Sequence, residues 1–216
     1  PCALSPDGTT IAFTYKGDIY TVPSTGGRAT QITTNPAFDT EPVWSPDSKQ
    51  IAFASDRMGS LDVFVVSSEG GAPQRLTTHS GSEKPVAYKD NKHILFTANI
   101  APSAEDAGFP SGQFQQVYEV AVTGGRPAMF SSMPMECISI NQDKKGYEDY
   151  WRKHQVSPIA RDIWTYTPGK KPVYQKQTTF GGEDREPVWS PDGKSFYYLS
   201  EEKGSFNIFQ RTPGTT

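Results

Sequence analysis

One eight-residue motif recurs in this sequence, and it restricts the possible folds more strongly than any other feature. Glu-Pro-Val-Trp-Ser-Pro-Asp-Ser at 41–48 returns as Glu-Pro-Val-Trp-Ser-Pro-Asp-Gly at 186–193. A shorter copy lies at 4–8, and weaker copies lie at 84–91 and 138–143. The aspartates of the five copies are 40, 43, 53 and 49 residues apart, which indicates repeat units of about 46 residues: Asp7, Asp47, Asp90, Asp143 and Asp192.

Each unit has the features of four short strands joined by tight turns. In the Ser-Pro-Asp-Gly turn, proline presets φ, aspartate bonds the N–H two residues on, and glycine accepts a positive φ, so we assign Asp7, Asp47 and Asp192 structural roles. Some fifteen residues later comes one polar residue before two large apolar ones, as in Asp62-Val63-Phe64, and then a Gly-Gly turn, as at 70–71. This order predicts an all-β fold, a β-propeller built from four-stranded antiparallel blades.

The length of 216 residues corresponds to about 4.7 such blades. We predict a single, truncated propeller domain with blades at approximately 1–40, 41–83, 84–134, 135–185 and 186–216. The fifth unit stops without the outer strand that follows the glycine turn elsewhere. The first and last blades of the domain are therefore expected to present apolar faces and a bare strand edge, which favours a homo-oligomer.

Composition excludes several classes of protein. There are 24 acidic and 21 basic residues without basic blocks, so we expect no nucleic-acid partner. No apolar run approaches the roughly 18 residues of a membrane span, so no membrane insertion is expected, and no signal peptide is visible. Glycine and proline are frequent, at 19 and 18 residues, which is typical of short strands and turns.

With the units aligned, the sequence resembles the TolB-type propeller repeat. Trp-Ser-Pro-Asp-Ser-Lys-Gln-Ile-Ala-Phe at 44–53 follows that repeat, with Ser48 in place of a glycine. More narrowly, the segments 145–154 and 160–164 are similar to the fourth blade of the N-terminal propeller of tricorn-like serine proteases. This resemblance implies a six-bladed propeller, of which about five blades are present, followed in the parent protein by a peptide-binding domain and a catalytic α/β domain.

No catalytic centre is predicted in this chain. There are three histidines, His79, His93 and His154, but no Gly-x-Ser-x-Gly elbow for a nucleophile. Cys2 and Cys137 are expected to be free, half-buried thiols on opposite blades. One aspartate in each turn does not form a cluster of oxygen ligands, so we predict neither a metal nor a cofactor. Whether the parent protein is an enzyme stays open, although the resemblance implies a serine protease.

Candidate substrate-binding residues lie in loops that break the repeat or precede first strands. Loops from every blade converge at the mouth of a propeller channel, and charged residues there can contact a peptide, although solvated surface is the commoner role. The segment 99–113 is expected to be a mobile insertion near the same loops. The candidates are Asp56, Arg57, Arg152, Lys153, His154, Arg161 and Arg185.

The leading hypothesis is a non-catalytic propeller that gates or guides unfolded peptides toward a downstream serine-peptidase domain. Its expected partners are peptides or unfolded polypeptides and the downstream protease domains. The alternative is a TolB-like propeller that binds a partner protein in the cell envelope. A third interpretation is the substrate-gating propeller of a prolyl-oligopeptidase-like enzyme. The resemblance also suggests the bacterial periplasm or cell envelope as the location.

Overall fold

A computed structural model describes residues 1–99, 115–131, 138–140, 147–151, 161–169 and 171–214, and for 147–151 it describes the backbone alone. Within these residues the chain forms nineteen strands and no helix. The strands make five antiparallel sheets, four of them with four strands and one with three. The all-β class and the propeller blades predicted from the repeat are confirmed.

The chain divides into two compact units, and the first, residues 1–132, contains three four-stranded blades. In each blade the strands are neighbours in chain order, as four-stranded propeller blades require. The first blade has β1 (Cys2–Leu4), β2 (Thr10–Tyr15), β3 (Asp18–Pro23) and β4 (Thr30–Gln31). The second has β5 (Asp39–Trp44), β6 (Gln50–Ser55), β7 (Asp62–Ser67) and β8 (Gln74–Arg75), and the third has β9 (Glu83–Asp90), β10 (His93–Ala98), β11 (Gln116–Ala121) and β12 (Ala128–Ser131).

The second unit, residues 133–216, contains one four-stranded and one three-stranded sheet. The fourth blade has β13 (Ser139–Ile140), β14 (Tyr147–Trp151), β15 (Asp162–Thr167) and β16 (Val173–Lys176). The fifth sheet has β17 (Asp184–Trp189), β18 (Phe196–Ser200) and β19 (Asn207–Arg211), and no fourth strand pairs with β19 in the part of the chain that the structure describes. The total of six blades and the blade boundaries stay predictions.

The Ser-Pro-Asp turns between first and second strands have the hydrogen bonds expected from their sequence. Oδ1 of Asp47 accepts from the Ser45 hydroxyl at 2.7 Å and from the N–H of Lys49 at 3.2 Å. These bonds, the Ser45 hydroxyl first, hold the pKa of the Asp47 carboxyl below its usual value. Ser48 adopts φ +58°, the left-handed conformation that glycine has in the equivalent turns. The turns of Asp7 and Asp192 repeat both the bonds and the lowered pKa.

Large apolar side chains fill the wedge between neighbouring blades of the first unit. Trp44 is 7% exposed and packs in a cluster with Ala12, Ile51 and Phe64, which links the first blade to the second. Its indole N–H donates to the carbonyl of Ala3 at 3.0 Å, so the buried ring has no unsatisfied donor. The wedge position predicted for Trp44 is confirmed. A second cluster, which includes Ala52, Val65, Leu76, Tyr88, Phe96 and Tyr118, links the second blade to the third.

Candidate functional site

Strand pairing places the four candidate residues that the structure describes at one end of the strands of their sheets. The first strand of a blade begins opposite the end of the second strand, because Asp39 pairs with Ser55, Glu83 with Ala98 and Asp184 with Ser200. We call this side the upper edge and the side of the Ser-Pro-Asp turns the lower edge. The upper edge therefore carries the loops between second and third strands and the loops that lead into first strands.

A reciprocal pair of hydrogen bonds fixes the two upper-edge loops to each other in the second blade. Oδ1 of Asp56 accepts from the N–H of Phe38 at 2.8 Å, and the N–H of Asp56 donates to the Phe38 carbonyl at 3.4 Å. The fifth sheet repeats the arrangement, with Oε1 of Glu201 accepting from the N–H of Glu183 at 3.1 Å and the Glu201 N–H donating to the Glu183 carbonyl at 3.3 Å. The sequence-predicted residue Asp56 therefore positions a loop in this structure.

Arg57 is held inside the second blade by three kinds of contact. Its Nη2 lies 3.0 Å from both carboxylate oxygens of Asp39, and its Nε donates to the Ser55 hydroxyl at 2.8 Å. The guanidinium carbon lies 4.4 Å from the centre of the Phe64 ring, a cation–π distance. Asp39 is fully buried and the Arg57 side chain is only 12% exposed, so this ion pair is largely desolvated.

Two other candidates, Arg161 and Arg185, converge on one carboxylate in the second unit. Nη1 of Arg161 lies 2.9 Å from Oε1 of Glu183, and Nη1 of Arg185 lies 4.0 Å from the same oxygen. The guanidinium of Arg185 also stacks on the ring of Phe206, at 4.1 Å from its centre. We call Arg161, Glu183, Arg185, Glu201 and Phe206 the Glu183 cluster.

Buried acids connect consecutive blades at the upper edge. In the first unit the N–H of Asp39 donates to the Gly17 carbonyl at 2.7 Å and that of Glu83 to the Leu61 carbonyl at 2.7 Å. In the second unit the N–H of Asp184 donates to the Arg161 carbonyl at 2.9 Å.

A second acid, the one that opens the third strand of the preceding blade, has a side-chain partner on the outer strand of its own blade. These pairs are Asp62 with Arg75 at 2.9 Å, Asp162 with Lys176 at 2.8 Å, and Asp18 with Gln31 at 3.0 Å.

Burial raises the pKa of three of the carboxyl groups at these junctions. Burial raises the pKa of the Glu83 carboxyl to about 7, and the Asp62 carboxylate adds to this rise, whereas the Thr77 hydroxyl and Arg75 oppose it. Burial also raises the pKa of Asp62 and that of Asp184. Two acids share one cation at the junction of the second and third blades, so that junction carries excess negative charge when both are ionised.

Large apolar side chains are exposed beside these fixed charges. Phe38 is 51% exposed and Met58 61% exposed at the upper edge of the second blade, and Phe206 is 42% exposed in the Glu183 cluster. All three residues lie in loops that the reciprocal hydrogen bonds of Asp56 and Glu201 hold in place. Within each unit the upper edge therefore places apolar and ionic groups side by side, where one ligand can contact both.

Several predicted features fall elsewhere. Arg152, Lys153, His154, Cys137 and residues 100–114 lie outside the described residues, so their roles stay predictions. Cys2 is a free thiol but is exposed, because β1 is the edge strand of its sheet; the expectation of a half-buried thiol was wrong for this residue. In the part of the chain that is described, no group of three or more His, Cys, Asp and Glu side chains could hold a metal ion. Nor does any helix there have the length and hydropathy to cross a membrane.

Sequence reasoning missed the partners of the third-strand acids. The signal was present, because the outer strands of two units carry a base two residues before a threonine, at Arg75–Thr77 and Lys176–Thr178. The threonine hydroxyl accepts from a third-strand N–H in both blades, from Val63 at 2.9 Å and from Ile163 at 3.0 Å. An outer-strand base two residues before a threonine, taken together with an acid that opens the third strand, would have predicted both ion pairs.

Comparison with known protein families gives one match across the chain. The pattern described as "Tricorn protease N-terminal beta propeller domain" matches residues 4–216. "Uncharacterized peptidase YuxL" of Bacillus subtilis (strain 168) is 32% identical over 202 residues, which are 88% of this chain and 27% of that protein. "Tricorn protease homolog 1" of Streptomyces coelicolor is 39% identical over 77 residues, which are 36% of this chain and 7% of that protein. The chain spans about a quarter of the first of these relatives.

Solved structures share the fold at low sequence identity. A crystal structure of the tricorn protease superposes with a TM-score of 0.75 and 17% identity, over 97% of this chain and 21% of that chain. TolB from Acinetobacter baumannii superposes with a TM-score of 0.72 and 19% identity, over 98% of this chain and 51% of that chain. Both identities are low enough that these structures establish the propeller fold and nothing further.

Proposed function

Because the chain belongs to the family of tricorn protease N-terminal β-propeller domains, and so is a propeller domain related to peptidases, we propose that it binds unfolded polypeptide at its upper edge. In this proposal the domain is not catalytic and passes the bound chain to a serine-peptidase domain encoded elsewhere in the parent protein. The substrate-binding residues of the second unit are then Arg161 and Arg185. Arg152, Lys153 and His154 are proposed to contribute from the segment between β14 and β15.

One observation supports this proposal above the others: exposed aromatic and thioether side chains stand on fixed loops beside ion pairs. Phe38, Met58 and Phe206 are the apolar members, and Arg185 stacks on Phe206. Aromatic residues, methionine and arginine are the residue types enriched where proteins bind polypeptides. Because the loops are already tied by hydrogen bonds, little conformational entropy would be lost on binding.

We infer different roles for Arg57 and Arg185 from the ion pairs that each of them makes. Arg57 is engaged by Asp39 in two hydrogen bonds and positions the loop that carries Met58. Arg185 lies 4.0 Å from Glu183, a longer contact, and its side chain is 35% exposed. In this proposal Arg185 contacts the polypeptide and Arg57 supports the loop from behind.

A TolB-like propeller that binds a folded partner is the competing function, and the TolB structures share the fold. The same comparison supports a proposed location in the bacterial periplasm or cell envelope. The reading frame of the parent gene separates the two functions. Our proposal expects it to continue into a serine-peptidase domain, and a frame that ends after a sixth blade would support the competitor.

The binding test uses the 216-residue chain and fluorescein-labelled β-casein, an unfolded polypeptide, with labelled ubiquitin as the folded comparison. We expect the fluorescence anisotropy to rise and saturate with β-casein and to stay flat with ubiquitin. Truncating an aromatic contact at the centre of an interface typically costs about 1–2 kcal/mol or more. Phe206→Ser and the pair Phe38→Ser/Met58→Ser should therefore weaken binding by about fivefold or more.

Matched controls remove equally exposed apolar side chains from outer strands. Val173→Ser changes a residue that is 57% exposed on β16, and Met129→Ser one that is 42% exposed on β12. Both should bind β-casein as the unaltered chain does. Saturable binding of ubiquitin with none of β-casein, or equal losses in control and upper-edge variants, would contradict the proposal.

A further inference from the structure

A polar cavity of about 420 Å³ opens between the first and second blades, away from the upper edge. Its walls come from β2, β3 and β4, from the lower-edge turns of the first and second blades, and from the turn after β7. Side-chain hydroxyl groups dominate the lining: Thr10, Thr21, Thr30, Ser48 and Ser68. The volume lies within the range of small-molecule binding sites, about 300–1,000 Å³.

The internal repeat shows why this space is open. Three threonines of the first blade, Thr10, Thr21 and Thr30, correspond to larger or more apolar residues of the second blade. The strand register establishes this: Ala12 pairs with Thr21 and Ala52 with Val65 at the same place in the two blades. Likewise Thr21 pairs with Thr30, and Val65 pairs with Gln74. The equivalents are Gln50, Val65 and Gln74.

Gln74 shows what the longer side chain does at the next junction. Its amide nitrogen reaches the strand-connecting turn of the third blade, 3.8 Å from the position that a Cβ atom on Gly124 would take. Thr30 is two heavy atoms shorter along the chain and cannot cross the corresponding distance. At the first junction the shorter Thr30 therefore leaves open a space that Gln74 extends into at the next one.

The chemistry of the lining favours a neutral ligand rich in hydroxyl groups. Hydroxyls both donate and accept hydrogen bonds, and those of Thr21, Thr30 and Ser68 have no hydrogen-bond partner among the residues the structure describes. Acids and a base both stand in the lining, Asp7 and Glu69 against Arg28, so neither sign of charge strongly dominates. The ring of Trp44 contributes an apolar wall, and its N–H is already bonded to Ala3.

We propose that this cavity binds a small sugar, a mono- or disaccharide, at the junction of the first two blades. The site goes beyond the proposed function, because it shares no residue with the upper edge and involves neither polypeptide nor peptidase. Its hydroxyl lining would pair with sugar hydroxyls in both directions, and Trp44 would face the apolar side of a sugar ring.

The test measures binding of maltose and of N,N′-diacetylchitobiose to the 216-residue chain by amide chemical shifts and by isothermal titration calorimetry. We expect saturable shifts from at least one sugar, located at Thr10, Thr21, Thr30 and Ser68. The variant Thr10→Gln/Thr21→Val/Thr30→Gln transfers the residues of the next junction into the cavity. It should weaken the sugar's affinity at least tenfold, whereas Thr123→Gln, an exposed threonine on the third blade, should leave it unchanged.

Two further measurements keep the test decisive. If the triple variant does not fold, Thr21→Val alone removes one lining hydroxyl with little change of shape and should weaken binding at least threefold. Glycylglycine serves as a peptide probe of the same cavity. Absence of saturable shifts with both sugars, shifts that the variants leave unchanged, or tighter binding of glycylglycine than of either sugar would overturn the proposal.

Discussion

Glu83 has an environment unlike that of an ordinary surface acid. It is fully buried at the start of β9, and its carboxyl lies beside Asp62, so the ionised form is costly. Its pKa is raised from an ordinary 4.5 to about 7. The folded protein therefore holds this proton over a pH range in which the unfolded chain has released it.

The sign of the resulting pH dependence follows from proton counting. Between pH 4.5 and about 7 the folded state binds more protons at Glu83 than the unfolded state, so the free energy of unfolding falls as pH rises. At 1.36 kcal/mol per pH unit the loss across this window is about 3 kcal/mol. Glu83→Gln keeps the shape of the side chain and does not titrate, so its free energy of unfolding should fall by about 2.5 kcal/mol less between pH 5 and pH 8.

Urea denaturation of both proteins at pH 5, 6, 7 and 8 measures this difference. The lowered pKa values of Asp7, Asp47 and Asp192 act in the opposite direction, but they are common to both proteins and cancel. Parallel stability profiles for the unaltered protein and Glu83→Gln would show that Glu83 is ionised in the folded state throughout.

At the scale of elements, the Asp39–Arg57 pair joins the start of β5 to the loop after β6. Arg57→Met removes the charge and leaves the buried Asp39 carboxylate without its cation, a loss that typically costs about 3–5 kcal/mol. Adding Asp39→Asn removes the orphaned charge and should recover part of that loss. Thermal unfolding of the two single variants and the double variant measures the coupling between the residues.

A cost below about 1 kcal/mol for Arg57→Met would contradict the desolvated ion pair. Arg75→Met is a useful comparison, because Arg75 pairs with the equally buried Asp62 but is itself 30% exposed. Water screens that contact more strongly, so its loss should cost less than the loss of Arg57.

Strand order and turns could be predicted from sequence, whereas the Asp39–Arg57 ion pair could not. The Asp47 turn was predicted because its bonds are local, reaching only two residues along the chain. Asp39 takes its arginine from the loop after β6, and Asp62 takes its arginine from the outer strand β8. The base two residues before Thr77 marks the partner of Asp62 in the sequence. No comparable pattern marks Arg57, because its pairing depends on which side chains the folded sheet brings together.

At the scale of the whole molecule, the fifth sheet leaves one position exposed that the other blades bury. Ile208 on β19 is 75% exposed, whereas the equivalent residues Ile19, Val63 and Ile163 are fully buried. Val188 of the same sheet is 59% exposed. An apolar sheet face with an unpaired strand edge favours association with another surface.

We therefore expect the 216-residue chain to self-associate at concentrations of tens of micromolar. Ile208→Ser should shift it toward the monomer, and Val173→Ser, which changes a comparably exposed valine on β16, should not. Size-exclusion chromatography with multi-angle light scattering distinguishes these species. A monomer at every concentration, or an equal response to both variants, would show that the Ile208 face drives no association.

The repeat predicted the blades because each unit carries the same turn and strand signals, but it could not predict where the blades differ. The cavity beside Thr21 and the Glu183 cluster arise from departures of single side chains within a repeated backbone. Phe206 is an example, since its exposure depends on the placement of the loop after β18 and not on the local pattern. Both of our proposals accordingly place function at positions that break the repeat.

Hydrogen exchange in the presence of β-casein tests the central claim, polypeptide binding at the upper edge, most directly. Amide protection should increase in the upper-edge loops at 33–38, 56–61, 177–183 and 201–206, and the Ser-Pro-Asp turns at the lower edge should exchange as they do in the free protein. Protection confined to the lower-edge turns, or no change in any loop at saturating β-casein, would contradict it.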